Sequence, residues 1–259
     1  MTDLAVLAQA ACTAARAAGE LLRSRPRDVH HKGTIDLVTE IDLASEACIR
    51  EVLERLVPGV PVQGEEGGGR TDGSRWVVDP LDGTTNFVHG YPAYTVSIAY
   101  CEGPLPLAGA IYDPLTDRLT TAYVGGGTTV NDRRVSVSPT PRLIDALAVT
   151  GFPYGVRTDA AFYLTFVERV LRSAQGLRRS GSAAFDLATL ACGQCDIFWE
   201  YGLKPWDTAA GAVLVREAGG VVSRVDGGAW APGDETVLAT NGHLHEAVVT
   251  LFRTGEGVG

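Results

Sequence analysis

The sequence predicts a mixed α/β protein made of two differently ordered halves. Through residue 142, helices precede a run of β-type segments, an α+β order. Beyond it, strands and helices alternate, the α/β order. The texture changes around Pro139 to Asp145, which divides the chain into 1–142 and 143–259. At 259 residues, 45% apolar and 20% charged, the chain can bury a sizeable core.

Leu4 to Leu22 is Ala-rich with apolar residues at helical spacing, so it predicts a long amphipathic helix capped by Thr2 or Asp3. Ser24 to Ile35 reads as a loop, with Pro26, His30, His31, Lys32 and Gly33 offering little to pack. Glu40 to Leu56 predicts a second helix, its apolar stripe drawn from Ile41, Ala44, Cys48, Val52, Leu53 and Leu56. Val62 to Gly64 reads as a short strand ending on Glu65-Glu66 and three glycines. Pro92 to Glu102, Leu105 to Asp113, Leu119 to Val124 and Thr128 to Val137 read as an antiparallel meander, with a hairpin turn at Val130 to Arg133. In the second half the expected strands are 146–150, 176–179, 196–200, 221–225 and 237–240. The expected helices are 159–172, 182–192, 206–218 and 242–252.

The chain is organised around Trp76-Val77-Val78-Asp79-Pro80-Leu81-Asp82-Gly83-Thr84-Thr85. Trp76 to Val78 reads as a buried strand that runs into two carboxylates. Unpaired buried charge is costly, so a cation must compensate them. Pro80 holds Asp79 extended, which can aim both carboxylates and the Leu81 carbonyl into one volume. An all-oxygen set suits a hard cation, Mg²⁺ or Mn²⁺. Gly83 to Thr85 reads as a turn opening a helix whose free N–H groups can hold an anion. The plain alternative is a surface turn, since Asp, Pro and Gly are the usual turn residues.

Other acidic positions carry the same two readings. Asp42 and Asp207 each lie in the first turn of an expected helix, where they either meet the helix dipole or face a site. Glu65 ends one expected strand and Glu200 another. Several strand ends bearing carboxylates suggest one shared site.

A net charge of −9 disfavours nucleic-acid partners. It suits a phosphate ester only if bound cations invert the local charge. No apolar run approaches the ~20 residues of a membrane span, and no signal peptide opens the chain, so a cytoplasmic location is the default expectation. Five scattered cysteines argue against a disulfide framework, and Cys192-Gly-Gln-Cys195 lacks the partners of a zinc site.

Four motifs in order resemble the inositol monophosphatase family: Gly64-Glu65-Glu66, Asp79-Pro80-Leu81-Asp82-Gly83-Thr84, Gly181-Ser182-Ala183-Ala184, and Trp206-Asp207 followed by Ala209-Ala210-Gly211. The resemblance spans nearly the whole chain. It implies a layered αβαβα sandwich and a usually dimeric, lithium-sensitive, Mg²⁺-dependent phosphatase. Glu65, Asp79 and the Leu81 carbonyl would bind one Mg²⁺. Asp79, Asp82 and Asp207 would bind a second, with a weaker third near Glu65. Asp42 and Thr84, with Glu65, would help deprotonate the attacking water. The Gly83 and Thr84 amides would hold phosphate, and Arg178, Ala183 and Glu200 would contact the alcohol. The flap at His31-Lys32-Gly33-Thr34 is one residue tighter than the family pattern, and Ser182 stands where Thr is also usual.

The expected reaction is hydrolysis of a small phosphate monoester, with inositol 1-phosphate the leading substrate. Relatives that hydrolyse histidinol phosphate, fructose 1,6-bisphosphate or adenosine bisphosphate supply the alternatives. A catalytically idle binding protein would have lost a metal carboxylate, and all are present.

Overall fold

The protein's architecture, taken from a computed structural model, is described for residues 3–23, 29–31 and 37–254. Thr2, residues 24–28 and 32–35 of the expected loop, which include Lys32, Gly33 and Thr34 of the flap, and Asp36 lie outside the described residues.

Helix α1 (Leu4–Leu22) starts at Asp3, whose side chain accepts from the Ala5 amide at 3.0 Å. Strands β1 (Val29–His31) and β2 (Leu37–Thr39) pair antiparallel, so the expected loop contains a strand. Next come α2 (Glu40–Leu56), β3 (Val62–Gly64), β4 (Ser74–Asp82) and the short α3 (Thr84–His89). The meander follows as β5 (Thr95–Glu102), β6 (Leu105–Asp113), β7 (Arg118–Tyr123), β8 (Gly127–Val130) and β9 (Arg133–Arg134). Asn131 and Asp132 both take positive φ in the β8–β9 turn, as a tight two-residue hairpin requires.

The second half alternates as expected: β10 (Leu147–Thr150), α4 (Ala160–Ser173), β11 (Gly176–Arg178), α5 (Ala183–Ala191), β12 (Ile197–Tyr201), α6 (Pro205–Glu217), β13 (Val221–Ser223), β14 (Thr236–Thr240) and α7 (His245–Thr254). Two 3-10 turns, Leu143–Asp145 and Tyr154–Thr158, lie where the sequence suggested no element.

Seven strands form one sheet in the order β3-β4-β5-β6-β7-β8-β9, antiparallel except where β3 runs beside β4. Five form the second, β11-β10-β12-β14-β13. Helices α1 and α2 cover one face of the larger sheet, and α5 and α6 pack between the sheets. Helices α4 and α7 cover the outer face of the smaller sheet. The result is five layers in αβαβα order.

Strand alternation decides where the acidic residues go. In β4, Trp76 and Val78 pack with α1 and α2, whereas Val77 packs with α5 and α6. Asp79, two residues beyond Val77, therefore faces the middle layer. In β12, Phe198 belongs to that layer and Trp199 to the outer one, so Glu200 also faces inward.

The buried stripe of α2 differs from the expected one. It is Asp42, Ser45, Glu46, Ile49, Val52 and Leu53, while Ala44 is exposed. Three polar residues displace the apolar ones because each is bonded at the site described below.

The middle layer is packed to contact. A Cβ on Gly109 of β6 would lie 2.9 Å from Ala210 Cα of α6, and backbone cannot yield as a side chain can. Gly109→Ala is expected to cost on the order of 1–3 kcal/mol. The denaturant midpoint measures this, and an unchanged midpoint would contradict the packing.

Candidate active site

A cavity of about 380 Å³ opens between the two sheets at the N-terminal ends of α3, α5 and α6. Among the described residues six carboxylates line it (Glu65, Asp79, Asp82, Asp186, Glu200 and Asp207), against two cations, Arg179 and Lys204. Leu81, Gly83, Thr84, Ser182 and Ala183 complete the part that the sequence motifs supply.

Each acidic group is held by an identifiable bond. Pro80 sits inside β4 where the pairing with β5 shifts register between Asp79 and Asp82, a bulge that tolerates a residue with no N–H. The Leu81 amide turns back to donate to Asp79 Oδ1 at 2.9 Å. On the other side, Ser45 of α2 donates to the Pro80 carbonyl at 3.0 Å, pinning the bulge from below. Asp82 reaches across to the second half of the chain. Its Oδ2 accepts from Ser182 Oγ at 2.7 Å and from the Ala184 amide at 2.6 Å, so it occupies the N-terminus of α5. Asp207 accepts from the Lys204 amide at 2.7 Å in the first turn of α6. Ser97, paired with Asp79 across the sheet, donates to the Trp206 carbonyl at 3.1 Å and so ties that turn beside Asp79.

Glu65 follows β3 on a loop that α2 clamps. The Glu46 carboxylate accepts from the Glu66 and Gly67 amides at 2.8 and 2.9 Å. Arg50 bonds to Glu46 and to the carbonyls of Val62 and Gly68. Asp42 is 1% exposed, and its Oδ1 lies 3.2 Å from Thr84 Oγ1. That hydroxyl is also 3.1 Å from the Leu81 carbonyl, so one proton is shared between two acceptors. Gly83 takes φ 101°, and a Cβ there would sit 2.9 Å from the Ala93 carbonyl, so only glycine fits. The first amides of α3 have no intrahelical acceptor.

The charges crowd one another. Burial, then Glu65, Asp82 and Asp207, push the Asp79 carboxyl well above its usual range. Asp207 is raised by burial and by Asp82. Burial lifts Asp82 to about 6, opposed by the Ser182 hydroxyl and the α5 amides. Glu200 is raised well above the usual range by burial and then by Asp186.

These donors fit a hard divalent cation in kind: carboxylate oxygens of Glu65, Asp79, Asp82 and Asp207, and the Leu81 carbonyl. Among the described residues no three acidic, His or Cys side chains are closed around a point as they stand. The fit rests on oxygen donors and on the excess of negative charge.

One expected contact is corrected. Arg178 ends β11, is exposed and does not line the cavity. Its guanidinium folds back along its own strand, Nη1 donating to the Leu177 carbonyl at 3.0 Å. The next residue, Arg179, lines the cavity instead. Sequence reasoning also missed Asp186 and the wall from Gly151 to Tyr154. The available signal for Asp186 was a lone acid inside an otherwise apolar helix start, Ala183-Ala184-Phe185-Asp186-Leu187-Ala188.

The model of the inositol monophosphatase family matches residues 3–256. The chain belongs to that family. It is 42% identical over 253 residues to an inositol-1-monophosphatase of Synechocystis, a match covering 95% of this chain and 88% of the relative. It is also 42% identical over 256 residues to the Nus factor SuhB of Pseudomonas aeruginosa, covering 94% of each. The solved inositol monophosphatase of Anabaena superposes with a TM-score of 0.86 at 40% identity, covering 96% of each chain. The family assignment makes this protein a phosphoric monoester hydrolase. No helix among the described residues of the phosphatase is long and apolar enough to cross a membrane. Each of its five cysteines is a free thiol, with Cys12, Cys101 and Cys195 buried.

Burial lifts the Asp186 carboxyl from 3.8 to about 8, opposed by the Ser180 hydroxyl and Arg179. Between those values the folded phosphatase keeps a proton that the unfolded chain releases. Its stability from this group therefore falls as pH rises through that window. Asp186→Asn removes the penalty. In the presence of a chelator, the gain in Tm of Asp186→Asn over the parent is expected to be larger at about pH 8.5 than at about pH 5. A gain that does not grow with pH would contradict the assigned burial.

Proposed function

We propose that this phosphatase hydrolyses inositol 1-phosphate to inositol and phosphate with Mg²⁺, by attack of water and without a covalent intermediate. The single observation that supports this reading most is six carboxylates against two cations, among the described residues, in one cavity of a phosphomonoesterase. A phosphate dianion enters such a cavity only if cations accompany it. Glu65, Asp79, the Leu81 carbonyl, Asp82 and Asp207 would hold them. When bound, two divalent cations supply charge neutralisation and a water acidic enough to react near neutral pH.

The chain's own residues do the rest. Thr84 Oγ1 accepts a proton from the attacking water as it passes its own to Asp42 Oδ1, the acceptor 3.2 Å away. Glu65 orients the same water. The Gly83 and Thr84 amides at the start of α3 hold the phosphoryl oxygens. Glu200 and Ala183 face the alcohol part, where a carboxylate accepts from hydroxyl groups.

Histidinol phosphate is the second reading, since an ammonium would also pair with Glu200. Phosphate release from a panel of monoesters with Mg²⁺ separates the two. Inositol 1-phosphate is expected to lead the panel, with release suppressed by Li⁺, and a preference for histidinol phosphate would replace it. Asp79→Asn is expected to lower kcat by three orders of magnitude or more, roughly 4 kcal/mol, with an unchanged circular dichroism spectrum. Metal-dependent turnover retained in that variant would refute the assignment.

A further inference from the structure

The cavity contains an acidic pair that the proposed metal ligands do not use. Glu200, at 7% exposure, comes from β12, and Asp186, at 3%, from the first turn of α5. Both line the cavity. Among the described residues the Glu200 carboxylate has no hydrogen-bond partner and no ion pair, although it is more than nine-tenths buried and faces the cavity. The opposing backbone is Gly151, where a Cβ would collide with both Glu200 oxygens, so glycine keeps the space the carboxylate occupies. Asp186 lies one turn beyond Ala183 on the same helix, and both line the cavity. The Ser180 hydroxyl donates to the Ser182 carbonyl at 3.2 Å, and a carboxyl group has acceptor sites on both oxygens, so Asp186 keeps acceptor capacity for a ligand in the cavity it lines.

We propose that Asp186 is a specificity-determining residue that joins Glu200 in a two-carboxyl subsite, each reading a different hydroxyl of a polyol phosphate. This rests on the phosphatase reading above and names the substrate class it takes. An alcohol without hydroxyls would bury the pair unsatisfied, and such a mismatch is costly. Arg179 lines the same cavity and its charge acts on both Asp186 and Glu200.

The test compares inositol 1-phosphate with cyclohexyl phosphate, the same ring stripped of its hydroxyls, using the Mg²⁺-loaded full chain. In the parent enzyme kcat/KM is expected to favour the inositol ester. Asp186→Ala is expected to lower the inositol-to-cyclohexyl ratio of kcat/KM by about tenfold or more, chiefly through KM for the inositol ester. Asp186→Asn, which keeps the shape and one acceptor, is expected to restore part of that ratio and guards against a folding defect. Equal losses on both esters would overturn the proposal, because a structural role predicts no discrimination. A selective loss on histidinol phosphate with an unchanged ring ratio would also overturn it, by assigning the pair to an ammonium. If the parent hydrolyses neither ring ester, the inositol 1-phosphate reading itself fails and this proposal falls with it. If the parent hydrolyses both and only the ratio test fails, the reading stands without Asp186.

Discussion

Electrostatic repulsion inside one cavity is the constraint from which the rest of the structure follows. Among the described residues, six carboxylates share about 380 Å³ with two cations. Burial first, and then like charges held this close, raise the proton affinity of Asp79 and Asp207. Such an arrangement persists only if the fold over-determines it. Three helix N-termini meet at the cavity, and their dipoles and free amides partly offset the acidic residues. Asp82 has the most of this support, from the α5 amides and Ser182, and it is lifted only to about 6.

The remaining support is mechanical, and it comes from elements distant in sequence. Helix α2 holds three parts of the site from below: Asp42 at Thr84, Ser45 at the Pro80 carbonyl, and Glu46 at the loop carrying Glu65. Strand β5 sends Ser97 to the first turn of α6, which fixes Asp207 beside Asp79. Asp82 and Ser182, a hundred residues apart, join the two halves of the chain across the cavity. The middle helices can approach closely enough for this because glycine and alanine meet at Gly109 and Ala210.

Much of this was legible in the sequence where local rules act alone. Helix α1 begins and ends at Leu4 and Leu22 as its periodicity predicts, and the Asn131-Asp132 hairpin follows from residues that tolerate positive φ. The αβαβα layering came from resemblance rather than from periodicity. The phase of α2 was misread because its inward face carries Asp42, Ser45 and Glu46, and polarity there records tertiary bonding instead of exposure. Strand β1 has three residues and, among the described residues, pairs with β2 alone, too little pattern to detect. Arg179 rather than Arg178 reaches the cavity wall, since neighbouring residues at a strand end point to opposite sides, and the sequence alone does not say which side faces the site. Asp186 was hidden because a carboxylate in a first turn has a sufficient local explanation in the helix dipole.

The central claim is that carboxylates from β4, α6 and the loop after β3 converge to hold divalent cations. Anomalous diffraction from crystals of the full chain soaked in Mn²⁺ tests it most directly. The account predicts peaks in this cavity about 2.0–2.3 Å from oxygens of Asp79, Asp82 and Asp207, with Glu65 on a second ion. Saturating Mn²⁺ that gives no peak there, or peaks bound only by surface carboxylates elsewhere, would contradict it.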